Sequence, residues 1–206
     1  MLVVITIMAL ITTTLLIRQS RFDSSTVLRS LAYSVALSVR QAQVYGTSVF
    51  GTSTLSSNCS GGSYNSGFCY AAGYGLYIDS GSLTGYTLFA DLNNDGQYES
   101  SEAVKVFTLG TGYAISDFGA TTTGTAVSRS YLGGQINNLT ILFKRPNPDA
   151  CIATSNSANA CQPHAAPSET YASAYIRIQA TGDPTNTKSV SVSTTGEVTV
   201  CATTGC

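Results

Sequence analysis

The sequence predicts an α+β protein: a long N-terminal helix, apolar in its first half and amphipathic in its second, packed on a C-terminal antiparallel β-sheet domain. Three observations predict it. Residues 1–17 contain no charged side chain. Between Val27 and Ala42, apolar residues recur at spacings of three and four, the period of one helical face. Beyond Gly46 the chain breaks into short runs rich in Val, Ile, Tyr, Phe and Thr, separated by Gly, Asn, Asp and Pro. The organisation that follows is a hydrophobic transmembrane or filament-core helix over 1–22, an amphipathic helix over 23–46, and a globular β-rich domain over 47–206.

The first helix begins in MLVVITIMALITTTLLI, with Arg18 as its first charge. Seventeen helical residues span roughly 25 Å, just short of the ~30 Å hydrocarbon core of a bilayer. No basic segment precedes the run and no small-x-small cleavage site follows it, so it does not read as a secretory signal. It is apolar all round, so it needs lipid or other copies of itself around it. Arg18 and Arg21 then stand at a membrane–water boundary. In the second half, Val27, Leu28, Leu31, Val35, Val39 and Ala42 form a stripe that needs a globular domain to lie on, with Gly46 as the C-cap. Asp23 or Ser24 provides a restart point, and the two halves together span about 70 Å if continuous.

The strands expected in the second part cover 47–54, 75–78, 86–90, 104–109, 113–117, 139–144, 171–180, 189–193 and 198–201. Several alternate strictly: Ala174, Ile176 and Ile178 oppose Tyr175, Arg177 and Gln179, as in an antiparallel sheet with one face buried. Residues 194–197 (TTGE) make a hairpin link. Two stretches, 56–73 and 145–167, read as long loops, and each holds a cysteine pair. Asp79, Asp117 and Asp183 sit beside Gly, Ser or Pro and read as turn residues.

Composition excludes several functions. The 206 residues carry a net charge of −1 and only 10% are charged, with Lys105, Lys144 and Lys188 the only lysines. A phosphate-binding surface needs clustered Lys and Arg, so DNA is not an expected partner. One histidine, His164 in a Pro-rich stretch, and no tryptophan leave little for histidine-based catalysis. Nucleophile-elbow, phosphate-loop and dinucleotide motifs are absent, so no catalytic residue is expected and the protein reads as a non-enzyme.

Six cysteines, Cys59, Cys69, Cys151, Cys161, Cys201 and Cys206, are disulfide candidates, which points to an oxidising compartment. Fifteen pairings are open; nearest-neighbour pairing is favoured because Cys59/Cys69 and Cys151/Cys161 would close loops of identical spacing. A metal site built on them is disfavoured for want of Cys-x-x-Cys spacing. Asn58 and Asn138 fit the glycosylation pattern.

Residues 91–102 (DLNNDGQYESSE) match the calcium-loop pattern D-x-[DN]-x-[DN]-G-x5-E. Asp91, Asn93 and Asp95 would converge side-chain oxygens, Gly96 would permit the sharp turn, and Gln97 would offer its carbonyl. Glu99 would act directly or through water, and Glu102 would close the shell with two oxygens. The competing reading is a plain Asn-Asp-Gly turn between two strands. The flanks are strands, so bound calcium would stabilise rather than signal.

These features together resemble a known family. MLVVITIMALI followed by a long helix ending in RQAQVYG resembles the N-terminal segment of type IV pilins and type II secretion pseudopilins. DLNNDGQYESSEAVKVF between strands and the closing SVSVSTTGEVTVC are similar to the GspH/FimT branch. The resemblance implies a subunit held by a single pass in the bacterial inner membrane. From there it would assemble with its own copies or related pilins into an extracellular or periplasmic filament. In the family a prepilin peptidase cuts after a Gly, leaving Phe-x-x-x-Glu at the new N-terminus. Those residues would lie just upstream of Met1, so the true start is expected there. Alternatives within the family are a minor pilin that takes up DNA, disfavoured by Glu197 where basic residues would be expected, and a surface adhesin.

Overall fold

The computed structural model describes residues 1–48, 72–124, 128–164 and 166–201; for 16–23 it describes the backbone alone. The chain opens with α1 (Leu2–Thr47). There follow β1 (Gly73–Asp79), β2 (Gly85–Asp91), β3 (Ala103–Thr108), β4 (Tyr113–Thr122), β5 (Ser128–Ser130) and β6 (Asn138–Phe143). The last four strands are β7 (Ala150–Thr154), β8 (Tyr171–Ala180), β9 (Asp183–Ser193) and β10 (Val198–Cys201). The strands form two five-stranded antiparallel sheets, ordered β3-β2-β1-β6-β7 and β10-β9-β8-β4-β5.

This architecture corrects the expected α+β fold of a long helix packed on a sheet domain. The chain is mostly β, with ten strands in two antiparallel sheets, and the helical residues with described side chains form stretches of 14 and 24 residues, 2–15 and 24–47. The reason lies in the strands. The sequence pattern assigns each strand one buried face, yet β6 is buried at every position but its first. Leu139, Ile141 and Phe143 enter the main core, while Leu142 packs on the opposite face with Phe89, Ala153 and Cys161. A strand covered on both faces leaves no alternation to read.

The main core joins three sources: Leu76, Ile78, Leu88 and Ile141 from the first sheet; Phe118, Ile176, Ile178 and Val190 from the second; and Leu28, Ala32, Val35, Val39 and Ala42 from α1. Of the expected helical stripe, Leu31 is half-buried, Val27 is exposed, and Ala32 turns inward instead. Ser38 adds a buried hydrogen bond to the Tyr86 hydroxyl at 3.0 Å. The Gln43 amide donates to the Pro148 and Gly196 carbonyls at 3.0 and 3.1 Å, tying α1 to the β6–β7 link and to the β9–β10 turn.

Gly46 does not cap the helix. The helix runs to Thr47, and the cap is Ser48 in extended geometry, whose N–H donates to the Val44 carbonyl at 3.0 Å. Gly46 instead permits close approach: a β-carbon there would lie 2.3 Å from the Phe143 carbonyl oxygen. Asp117 also departs from its turn reading. It is buried within β4, where it accepts hydrogen bonds from the Tyr175 hydroxyl at 2.9 Å and the Leu132 N–H at 2.9 Å, and pairs with Arg177 at 3.3 Å. Asp79 and Asp183 do end or begin strands and accept the N–H groups of Gly81 and Thr185. Two strands were not expected, β5 and β7, and β7 lies inside the stretch read as a long loop. The strand expected over 47–54 opens on helical residue 47, and its residues 49–54 lie outside the described residues, as does most of the 56–73 loop.

Candidate functional site

Two places concentrate unusual chemistry: the apolar start of α1 and the acidic stretch between β2 and β3.

The first is an exposed rod. Leu2, Val3, Val4, Ile5, Ile7, Met8, Leu10, Ile11 and Leu15 are all solvent-exposed, Leu2 at 79% and Leu10 at 67%. Its only polar side chains among the described residues are threonines, and each donates back to the helix. Thr6 bonds the Val3 carbonyl at 2.8 Å, Thr12 that of Met8 at 2.7 Å, Thr13 that of Ala9 at 2.7 Å and Thr14 that of Leu10 at 3.0 Å. Such back-bonding satisfies hydroxyls where no water is at hand. Among the described residues, no helix is long and apolar enough to cross a membrane.

The second is built where β2 ends. Asp91 is its last residue and has no exposed surface. Its Oδ1 accepts the Asp95 N–H at 3.0 Å and its Oδ2 the Gly96 N–H at 3.1 Å. Asn93 Oδ1 also accepts from Asp95 N–H, at 3.0 Å, and the Asn93 amide donates to Asp95 Oδ2 at 3.0 Å. Asp95 Oδ1 accepts the Gln97 N–H at 2.8 Å. The turn needs two left-handed residues, Asn94 at φ 61° and Gly96 at φ 76°. Gly96 has a second reason to be glycine: a β-carbon would sit 2.6 Å from the Cys161 backbone.

Glu102 closes the loop from a short 3-10 turn (Ser100–Glu102). Its Oε1 accepts the Leu92 N–H at 2.8 Å, and its Oε2 accepts that of Glu99 at 3.2 Å. Glu99 and Glu102 form a reciprocal capping box. Burial pushes the Glu102 carboxyl up to about 7, against the pull of these amides. Burial also raises Asp91, opposed by the hydrogen bond and charge of Lys144.

The six residues proposed as calcium ligands thus share one loop, but the buried carboxylates of Asp91 and Glu102 accept backbone N–H groups, while Gln97 and Glu99 are exposed. Among the described residues, no group of three or more His, Cys, Asp or Glu side chains is arranged to hold a metal ion. The positive charge in the loop is Lys144, whose ammonium lies 2.7 Å from Asp91 Oδ2. No local signal could have joined it to a loop some fifty positions earlier, since the contact exists only through sheet pairing.

The loop rests on the outer cluster of the first sheet. Tyr98 stacks on Tyr77 at 4.4 Å and meets Phe89 edge-on at 5.5 Å. The same cluster holds the Cys151–Cys161 disulfide, one of the nearest-neighbour pairs. Cys201 is also disulfide-bonded. Cys59, Cys69 and Cys206 lie outside the described residues, as does Asn58. His164 is exposed. No protein-family model, curated protein or solved structure matches the chain.

Proposed function

We propose that the chain is a non-enzymatic structural subunit, a pilin or pseudopilin of a type IV pilus or type II secretion pseudopilus, that polymerises through its N-terminal segment. The observation that carries the proposal is the contrast within α1. Residues 24–47 bury Leu28, Ala32, Val35, Val39 and Ala42 in the domain, whereas 2–15 present apolar surface on every side. Exposed apolar area of that extent marks an interaction surface, because each square ångström left in water forgoes about 25 cal/mol. The threonine back-bonds support the same reading, since they suit a segment that exchanges a bilayer for sister helices. Repetition of one such contact without closure gives a helical fibre. The subunit would wait in the bacterial inner membrane and join an extracellular or periplasmic filament.

The test compares the full chain with a version lacking residues 1–22 in cells that assemble such filaments. Immuno-labelling of sheared filaments should detect the full chain and not the shortened one. Equal incorporation of both, or a full chain that stays monodisperse without detergent, would overturn the reading.

A further inference from the structure

We infer that the acidic loop carries its own cation, Lys144, which serves Asp91, the first position of the calcium-loop pattern, as the counter-charge a divalent metal ion would otherwise supply. The inference is independent of the filament reading. It rests on a path built across the sheet. β1 lies between β2 and β6, with Gly73 paired to Asp91 on one side and Tyr74 paired to Phe143 on the other. Lys144, the residue after Phe143, must therefore cross β1 to reach Asp91.

Glycine at position 73 clears that crossing. A β-carbon on Gly73 would lie 2.7 Å from Lys144 Cγ and 3.0 Å from Cε, so the lysine stem runs directly over the Gly73 backbone. At its end the ammonium finds three acceptors for its three protons: Asp91 Oδ2 at 2.7 Å, Asn94 Oδ1 at 2.9 Å and the Cys161 carbonyl at 3.4 Å. One charge thereby joins the first and fourth positions of the metal-loop pattern to the disulfide turn.

The chemistry is that of a cation with oxygen ligands, supplied by the chain itself. Asp91 has no exposed surface, and a buried carboxylate without a counter-charge is strongly destabilising. A calcium ion bound at Asp91 would bring a second cation beside the ammonium at 2.7 Å from Oδ2, and the two would repel each other. The loop is accordingly a metal-loop sequence whose folding does not depend on metal.

The experiment is thermal unfolding of the full chain in detergent, as wild type, Lys144→Met, Asp91→Asn and the double variant, each in millimolar calcium and in chelator. Wild type should melt at the same temperature in both solutions. Lys144→Met keeps the stem and removes the charge, and should lower Tm by on the order of 10 °C. The double variant should recover part of that loss, because it removes the buried carboxylate that Lys144→Met leaves without a counter-charge, although an amide can accept only one of the two backbone N–H groups that Asp91 accepts. If Lys144→Met fails to fold, a folded double variant carries the same conclusion. A wild-type Tm raised by calcium, a double variant as unstable as Lys144→Met, or a failure of both to fold would overturn the inference.

Discussion

The carbonyl oxygen of Phe143 lies where a β-carbon on Gly46 would be, at 2.3 Å. The last turn of α1 therefore touches backbone of β6, not side chain. In an ordinary helix interior Gly46→Ala would gain about 1 kcal/mol. Here the added methyl must push the two backbones apart, with an overpacking cost of about 1–3 kcal/mol or more. The net change is expected to be destabilising, read as a lower denaturant midpoint. A stabilised alanine variant would show that the helix end is not held against β6.

Ser38 and Tyr86 form a hydrogen bond inside the core, between the helix and β2. Burial raises the Tyr86 hydroxyl above the ordinary phenol range, and the Ser38 bond pulls against that shift. Removing the serine oxygen leaves the phenol without this partner. Ser34 also bonds the phenol, so Ser38→Ala should cost about 0.5–1.5 kcal/mol, and Tyr86→Phe should cost less in that background than in the wild type. Fully additive losses would mean that the two hydroxyls act independently.

The Cys151–Cys161 bond closes a turn ten residues long. In the chain-entropy model such a loop contributes about 3 kcal/mol. The Cys151→Ser/Cys161→Ser double variant should lose about that amount, with Tm lower by roughly 6–12 °C. Site-directed removal is preferable to a reductant, which would also attack the disulfide at Cys201. The same variant should loosen Tyr98 and Lys144, which both lean on this turn, and tyrosine fluorescence should report the change.

Glu102 predicts a pH dependence. Its carboxyl is pushed from its usual 4.5 to about 7, so between those values the folded chain holds a proton that the unfolded chain has released. That contribution to stability is complete below about pH 4.5 and is lost as pH rises through about 7, with a ceiling of a few kcal/mol. The raised Asp91 acts in the same direction, while Glu169, lowered by its hydrogen bond to Arg129, acts in the opposite one. Glu102→Gln should flatten the fall in Tm between pH 4.5 and 7. An unchanged slope would locate the pH dependence elsewhere.

What could be read from sequence followed the periodicities. Ala174, Ile176 and Ile178 alternate and are buried in β8, and Val190 and Val192 do the same in β9. Leu28, Val35, Val39 and Ala42 share a helical face and have no exposed surface. Where both faces of a strand are covered, as in β6, the period vanishes, and with it any sign of a second sheet. β5 is three polar residues, Ser-Arg-Ser, that pair with Gly119, Ala120 and Thr121 and carry no pattern of their own. β7 is apolar but sits among prolines, and only its pairing with β6 makes it a strand. At the acidic loop the order of oxygen-bearing residues was legible. The direction of those oxygens was not, because it depends on Lys144 and Cys161 from distant parts of the chain.

The threonine bonds of residues 2–15 have a consequence for transport between environments. A helix whose hydroxyls are all spoken for by its own carbonyls makes no chemical demand on whatever surrounds it. Its surroundings could be swapped without any of these donors having to find a new acceptor, so any relocation of this rod would be governed by shape and apolar area.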